Sequence, residues 1–200
     1  MSKLWIIGDS FSTNMTDDSW VTIVAGDKEV INLAKNGVSE YRIYRTFLSV
    51  RNKIKESDTV IFCHTNPHRI FLPDRVAYPT RTKASHPHCD LVMGDVDRHG
   101  IFWRFISYIF VTYFYDETYY DTLYYLMVQE MNRIQRETGC KVLHVSGFEV
   151  SHPIISIYDL FLAHRGNINH LTKEGNVLVA GRLVQYLKDS DTTEGLKLTK

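Results

Sequence analysis

Short apolar runs and longer amphipathic stripes alternate along the chain, and their periods predict an α/β arrangement. Leu4-Trp5-Ile6-Ile7 is continuously apolar and stops at Gly8-Asp9-Ser10, the pattern of a parallel strand buried on both faces. Asp17-Asp18 ahead of Trp20, Ile23 and Val24 predicts a short helix with acids in its first turn. Residues 29–33 read as a second strand, closed by Lys35-Asn36-Gly37. Between 40 and 56, Tyr41, Tyr44, Phe47, Leu48 and Ile54 form one apolar stripe with basic residues opposite, which predicts a helix. Residues 59–63 are a third apolar strand, running into His64-Thr65-Asn66-Pro67.

Beyond that strand the period is lost. The stretch 67–100 holds four of the chain's five prolines and reads as an irregular insertion, the kind of long loop that tends to carry function. Residues 101–138 are helical in pattern, with a break near Tyr115-Asp116. Residues 141–145 make a fourth strand and 171–187 a last amphipathic helix. Strands alternating with helices at these spacings predict a doubly wound, three-layer α/β/α sandwich with a mainly parallel sheet. The expected organisation is one domain over 1–188 that includes the insertion, then a polar tail over 189–200. In such sheets functional residues gather at the carboxyl ends of the strands, where Ser10, Gly37, Asn66 and the residues after Ser146 all fall.

Composition narrows the function classes. Basic and acidic residues balance at 23 each, so the chain lacks the basic surplus of a nucleic-acid binder. Cys63, Cys89 and Cys140 are odd in number and widely spaced, which argues for reduced thiols rather than a disulfide framework or structural zinc. The apolar run after Met1 is too brief for a signal-peptide core, and 101–115 is too short, with Arg104 in it, for a membrane span. The expectation is a cytoplasmic protein without a membrane span. Its twelve Tyr, ten Phe and three Trp concentrate in 101–125, more rings than one helix face can bury, so some are expected to line a substrate pocket or a dimer contact. The oligomeric state is left open.

The chemistry-bearing residues follow the strands in order. Gly8-Asp9-Ser10-Phe11-Ser12 comes after the first, Asn32-Leu33-Ala34-Lys35-Asn36-Gly37 ends the second, His64-Thr65-Asn66 ends the third, and Asn167-Ile168-Asn169-His170 precedes the last helix. This series resembles the four motif blocks of the SGNH (GDSL-type) hydrolases, over nearly the whole chain, and looks closest to divergent members encoded by tailed phages. The resemblance implies the flavodoxin-like variant of the doubly wound fold. It implies Ser10 as nucleophile, His170 as base, and the backbone N–H groups of Ser10 and Gly37 with the Asn66 amide as the oxyanion hole. A serine hydroxyl attacks a carbonyl only when a neighbouring imidazole takes its proton, and preorganised donors must meet the developing oxyanion. The implied reaction is cleavage of a carboxylic ester, on a small molecule or a glycan, through an acyl-enzyme and without a cofactor.

Two departures from that pattern bear on mechanism. Asn167 stands where the family has Asp, so a Ser–His dyad with Asn167 or a backbone carbonyl orienting His170 is one expectation, and recruitment of Asp159 from upstream is another. His64 and Pro67 replace a glycine and an acid, and His64, His68 and Arg69 become candidate substrate contacts. A catalytically degenerate domain that binds a carbohydrate or protein partner is the alternative function. His86, His88, Cys89, Asp90 and His99 contain metal-ligating atoms, but their irregular spacing reads as a polar loop rather than a metal site.

Overall fold

The computed structural model describes residues 2–67, 69–71, 90, 101–148, 154–166 and 171–192. Most of the 67–100 insertion, with Cys89, His86, His88 and His99, lies outside the described residues. Five parallel strands form one sheet: β1 (Lys3–Gly8), β2 (Glu29–Asn32), β3 (Thr59–His64), β4 (Lys141–Ser146) and β5 (Ile155–Ser156). Their order is β2-β1-β3-β4-β5. The chain steps outward from β1 to β2, then returns past β1 to lay down β3. The gap between β1 and β3 is therefore the switch point, where successive connections leave in opposite directions and a crevice opens at the carboxyl ends.

Alternation along the strands sorts the core into two layers. Leu4 and Ile6 of β1, Ile61 of β3 and Val145 of β4 share a buried cluster with residues of α1 (Trp20–Ala25), α5 (Tyr158–Ala163) and α6 (Lys173–Thr192). Trp5 and Ile7, with Val60 and Phe62, face the other way onto α2 (Glu40–Val50) and α4 (Glu117–Thr138). The doubly wound α/β/α architecture expected from the sequence is thus the one observed. α3 (Ile101–Tyr113) precedes α4, and Asp116 caps α4 by accepting the Tyr119 N–H at 2.7 Å, the break anticipated near Tyr115-Asp116.

Local details differ for physical reasons. α1 begins at Trp20, with Ser19 as its cap, so Asp17 and Asp18 precede the helix instead of filling its first turn. α2 ends at Val50, and the chain tightens into a 3₁₀ turn over Arg51–Lys53 that leads into extended Ile54, which is buried against the α2–α4 layer. α6 runs to Thr192, five residues past the end its apolar stripe predicts. Strand β5 and helix α5 have no counterpart in the sequence reading. A two-residue strand carries no period to read, and its place is fixed by pairing Val145 with Ile155.

Candidate active site

Ser10 opens a 3₁₀ turn (Ser10–Ser12) directly after β1 and is half-buried. Asp9 caps that turn: its Oδ1 accepts the Phe11 N–H at 3.0 Å, and its backbone N–H donates to Cys63 O at 3.2 Å. Phe11 anchors the turn from below, edge-on to Phe161 at 4.8 Å and to Phe148 at 5.4 Å. A single three-residue turn has no macrodipole to offer Ser10.

The strand end carrying Ser10 is stitched to both neighbours. On the β2 side, Asn32 Nδ2 donates to Ser12 O at 2.7 Å, Lys35 N–H donates to Gly8 O at 3.0 Å, and Thr13 Oγ1 donates to Asn36 Oδ1 at 3.0 Å. Asn32, five positions before Gly37, therefore holds the Ser10 turn against the loop that contains Gly37. Gly37 has φ +70°, a conformation that favours glycine, and its carbonyl accepts the Asp90 N–H at 2.7 Å. The buried Asp90 carboxylate also takes the Ser39 N–H at 2.7 Å and pairs with Arg42 through Nε at 3.1 Å and Nη2 at 3.0 Å. On the β3 side, Asn66 follows the strand by two residues, and its carbonyl accepts the Arg69 N–H at 3.1 Å. Ser10, Gly37 and Asn66 thus leave the carboxyl ends of three adjacent strands, with Ser10 and Asn66 flanking the switch point.

His170, Asn167 and His68 lie outside the described residues. The residue after His170, Leu171, packs against the same cluster as Phe11, and Asn176 Oδ1 of α6 accepts the Trp20 N–H at 3.0 Å. The start of α6 therefore belongs to the layer beneath the Ser10 turn. Asp159 is engaged elsewhere. Arg182 grips both its oxygens at 2.7 Å and, with that bonding as the main cause, holds its carboxyl down at about 2. Both of its oxygens are thus committed to Arg182.

Electrostatics inside the site are set by burial. Asp9 is 0% exposed, and that burial pushes its carboxyl up to about 6 against the pull of Arg69, the Phe11 N–H and Thr65. Cys63 is buried beside it, and desolvation raises its thiol well above the ordinary range, so it is no nucleophile. His64 corrects an expectation: it is 0% exposed and both ring nitrogens are bonded, Nδ1 to Glu40 Oε1 and Nε2 to His144 Nδ1, each at 2.7 Å. It belongs to the core and contacts no substrate.

Sequence reasoning missed Glu40 and His144. The available signal was a histidine inside each of two otherwise apolar strands, at 64 and 144, which buried imidazoles must answer with partners. Arg69 donates to Val38 O at 3.0 Å and lines a cavity of about 520 Å³ between α2, the segment after β3, and α4. Tyr41, Tyr44, Pro67, Tyr124 and Met127 supply much of its apolar wall. Two residues that line it adjoin the candidate oxyanion groups: Pro67 follows Asn66, and Arg69 bonds the residue after Gly37. Among the described residues, no group of three or more His, Cys, Asp or Glu is placed to hold a metal ion, and no helix is long and apolar enough to cross a membrane.

No family model matches the chain, and a search of curated proteins finds no match. Solved structures of similar architecture include a member of the lipolytic protein G-D-S-L family from Veillonella parvula, at 10% identity and TM-score 0.42 over 94% of this chain and 99% of that one. The psychrotrophic esterase EstA from Pseudoalteromonas sp. is similar at 13% identity and TM-score 0.42, over 96% and 100% of the two chains. A lipase/acylhydrolase from Enterococcus faecalis is similar at 14% identity and TM-score 0.38, over 95% and 97%.

Proposed function

We propose that this chain is a serine hydrolase that cleaves carboxylic esters, with Ser10 as nucleophile and His170 as base. The observation that carries the reading is the stitched strand end. Asn32, Lys35 and Thr13 tie the Ser10 turn to the Gly37 loop, while Asp9 ties it to β3 just ahead of Asn66. A reactive hydroxyl and three oxyanion donors need that kind of fixed mutual placement. In the reaction Ser10 Oγ attacks the ester carbon as His170 takes its proton. The N–H groups of Ser10 and Gly37 and the Asn66 amide hold the oxyanion. His170 then protonates the departing alcohol, and water attacks the acyl-Ser10 ester with the same base. Asn167 serves to orient the imidazole, and the apolar cavity beside Asn66 receives the acyl group.

A fluorophosphonate probe tests this on the full chain. It should label wild type and leave Ser10→Ala unlabelled, with p-nitrophenyl acetate turnover following the same pattern. The Asn at 167 and the capture of Asp159 by Arg182 favour one second reading, a domain that binds its ligand without turnover. Failure of both labelling and turnover in wild type would select it.

A further inference from the structure

Behind the candidate oxyanion groups runs a buried polar chain that the proposed reaction does not use. Glu40 Oε1 meets His64 Nδ1 at 2.7 Å, His64 Nε2 meets His144 Nδ1 at 2.7 Å, and His144 Nε2 meets Asn132 Oδ1 of α4 at 2.9 Å. The two imidazoles stack at 5.0 Å and 12°, with Phe62 stacked on His144 at 5.1 Å. Desolvation, with His64 adding to it, drives the His144 pKa well down, so His144 is neutral: one ring nitrogen donates and the other accepts. With Asn132 Oδ1 as acceptor, His144 Nε2 donates to it and His144 Nδ1 accepts from His64 Nε2, so these two links run in one direction and act as a unit rather than as separate contacts. Buried polar groups of this number are costly unless all are matched, so their arrangement constrains whatever backbone they touch.

The backbone they touch is that of the site. Glu40 is the first residue of α2, three positions after Gly37, and its Oε2 accepts the Thr65 N–H at 3.4 Å, one residue before Asn66. We infer that the Glu40–His64–His144 chain sets the spacing between the Gly37 loop and the Asn66 segment, making Glu40 a positioning residue for the oxyanion-stabilising donors. Asp90 holds the same loop from its other side through Ser39 N and Gly37 O, so Glu40 supplies the one tie among these that reaches across to β3. The inference rests on the hydrolase reading for its kinetic consequence and on geometry alone for its structural one.

The test compares wild type with Glu40→Ala and Glu40→Gln, with Ser10→Ala as the blank. Amide hydrogen exchange over 36–40 and 64–67 needs no turnover. It should quicken about tenfold in Glu40→Ala while β1 and β4 stay protected. Glu40→Gln should exchange as wild type, since its carbonyl takes the Thr65 N–H and its amide donates to His64 Nδ1. With p-nitrophenyl acetate, Glu40→Ala should lose about 10²-fold in kcat at unchanged KM, the scale of a misplaced donor, and Glu40→Gln should recover most of it. Unchanged exchange, exchange quickened throughout the molecule, or no recovery in Glu40→Gln would overturn the inference. Wild type without Ser10-dependent turnover removes the hydrolase reading, and the exchange pattern then decides the tie alone. Should Glu40→Ala fail to fold, Asn132→Ala at the half-buried far end should quicken the same two segments to a smaller degree, and no change there overturns the inference equally.

Discussion

At the scale of single residues, Asp9 and Ser10 are neighbours with opposite demands. As the proposed nucleophile Ser10 needs access, whereas Asp9 is sealed beneath the turn to cap it. Because burial raises the Asp9 carboxyl to about 6, the native state keeps a proton that the unfolded chain releases near 3.8. Stability attributable to this group therefore falls as pH rises across that interval and stays lower above it. Asp9→Asn keeps the Oδ1 acceptor for Phe11 N–H and removes the ionisation. Its melting temperature should match wild type near pH 4 and exceed it at pH 7, by the equivalent of about 1–3 kcal/mol. A constant difference across pH would show that Asp9 is not the titrating group. Arg69 acts on Asp9 through its charge, bonds Val38 O and lines the cavity, and only the first two of these ties are to residues that a residue-level reading leaves out.

At the scale of elements, β1 and β3 approach each other closely at Gly8. A Cβ there would sit 2.5 Å from both the Cβ and the carbonyl oxygen of Cys63. Neither backbone can yield without prising the two strands apart beneath Ser10. Gly8→Ala should lower stability by about 1–3 kcal/mol as an overpacked site, and it should cut fluorophosphonate labelling of Ser10 more than its effect on the fold accounts for. Urea melts paired with labelling rates check this. Asp58 plays the corresponding part at the opposite strand ends, accepting from Trp5 Nε1 at 2.9 Å, Lys3 N at 2.9 Å and Lys55 N at 3.0 Å. Asp58→Ala strands those donors and should cost about 1–3 kcal/mol with no specific loss at Ser10, measured the same way. The long strands and helices were legible because their apolar periods are strong. β5 and α5 were not, since Ile155 and Ser156 become a strand only by lying beside β4. The end of α2 was misplaced for a similar reason: Ile54 continues the helical period but is buried from an extended conformation.

At the scale of the molecule, the cavity between α2 and α4 exists because two helices distant in sequence pack on one face of the sheet. If it receives the acyl group, enlarging Leu123 on its lining as Leu123→Trp should slow hydrolysis of p-nitrophenyl octanoate about tenfold or more relative to p-nitrophenyl acetate. Equal effects on both esters would place the acyl group elsewhere. By itself the sequence determined the architecture and the strand ends at which chemistry gathers, because period and strand length are local properties and the doubly wound topology places those ends together. It also marked Ser10, Gly37 and Asn66 as candidates, since turn residues after apolar runs are readable in one dimension. Only the tertiary structure decided that His64 is a core residue tied to Glu40 and His144, and that Asp159 belongs to Arg182. The physical reason is that the partner of a buried or paired charge is fixed by packing across 23 to 80 residues of sequence, over which no local period extends.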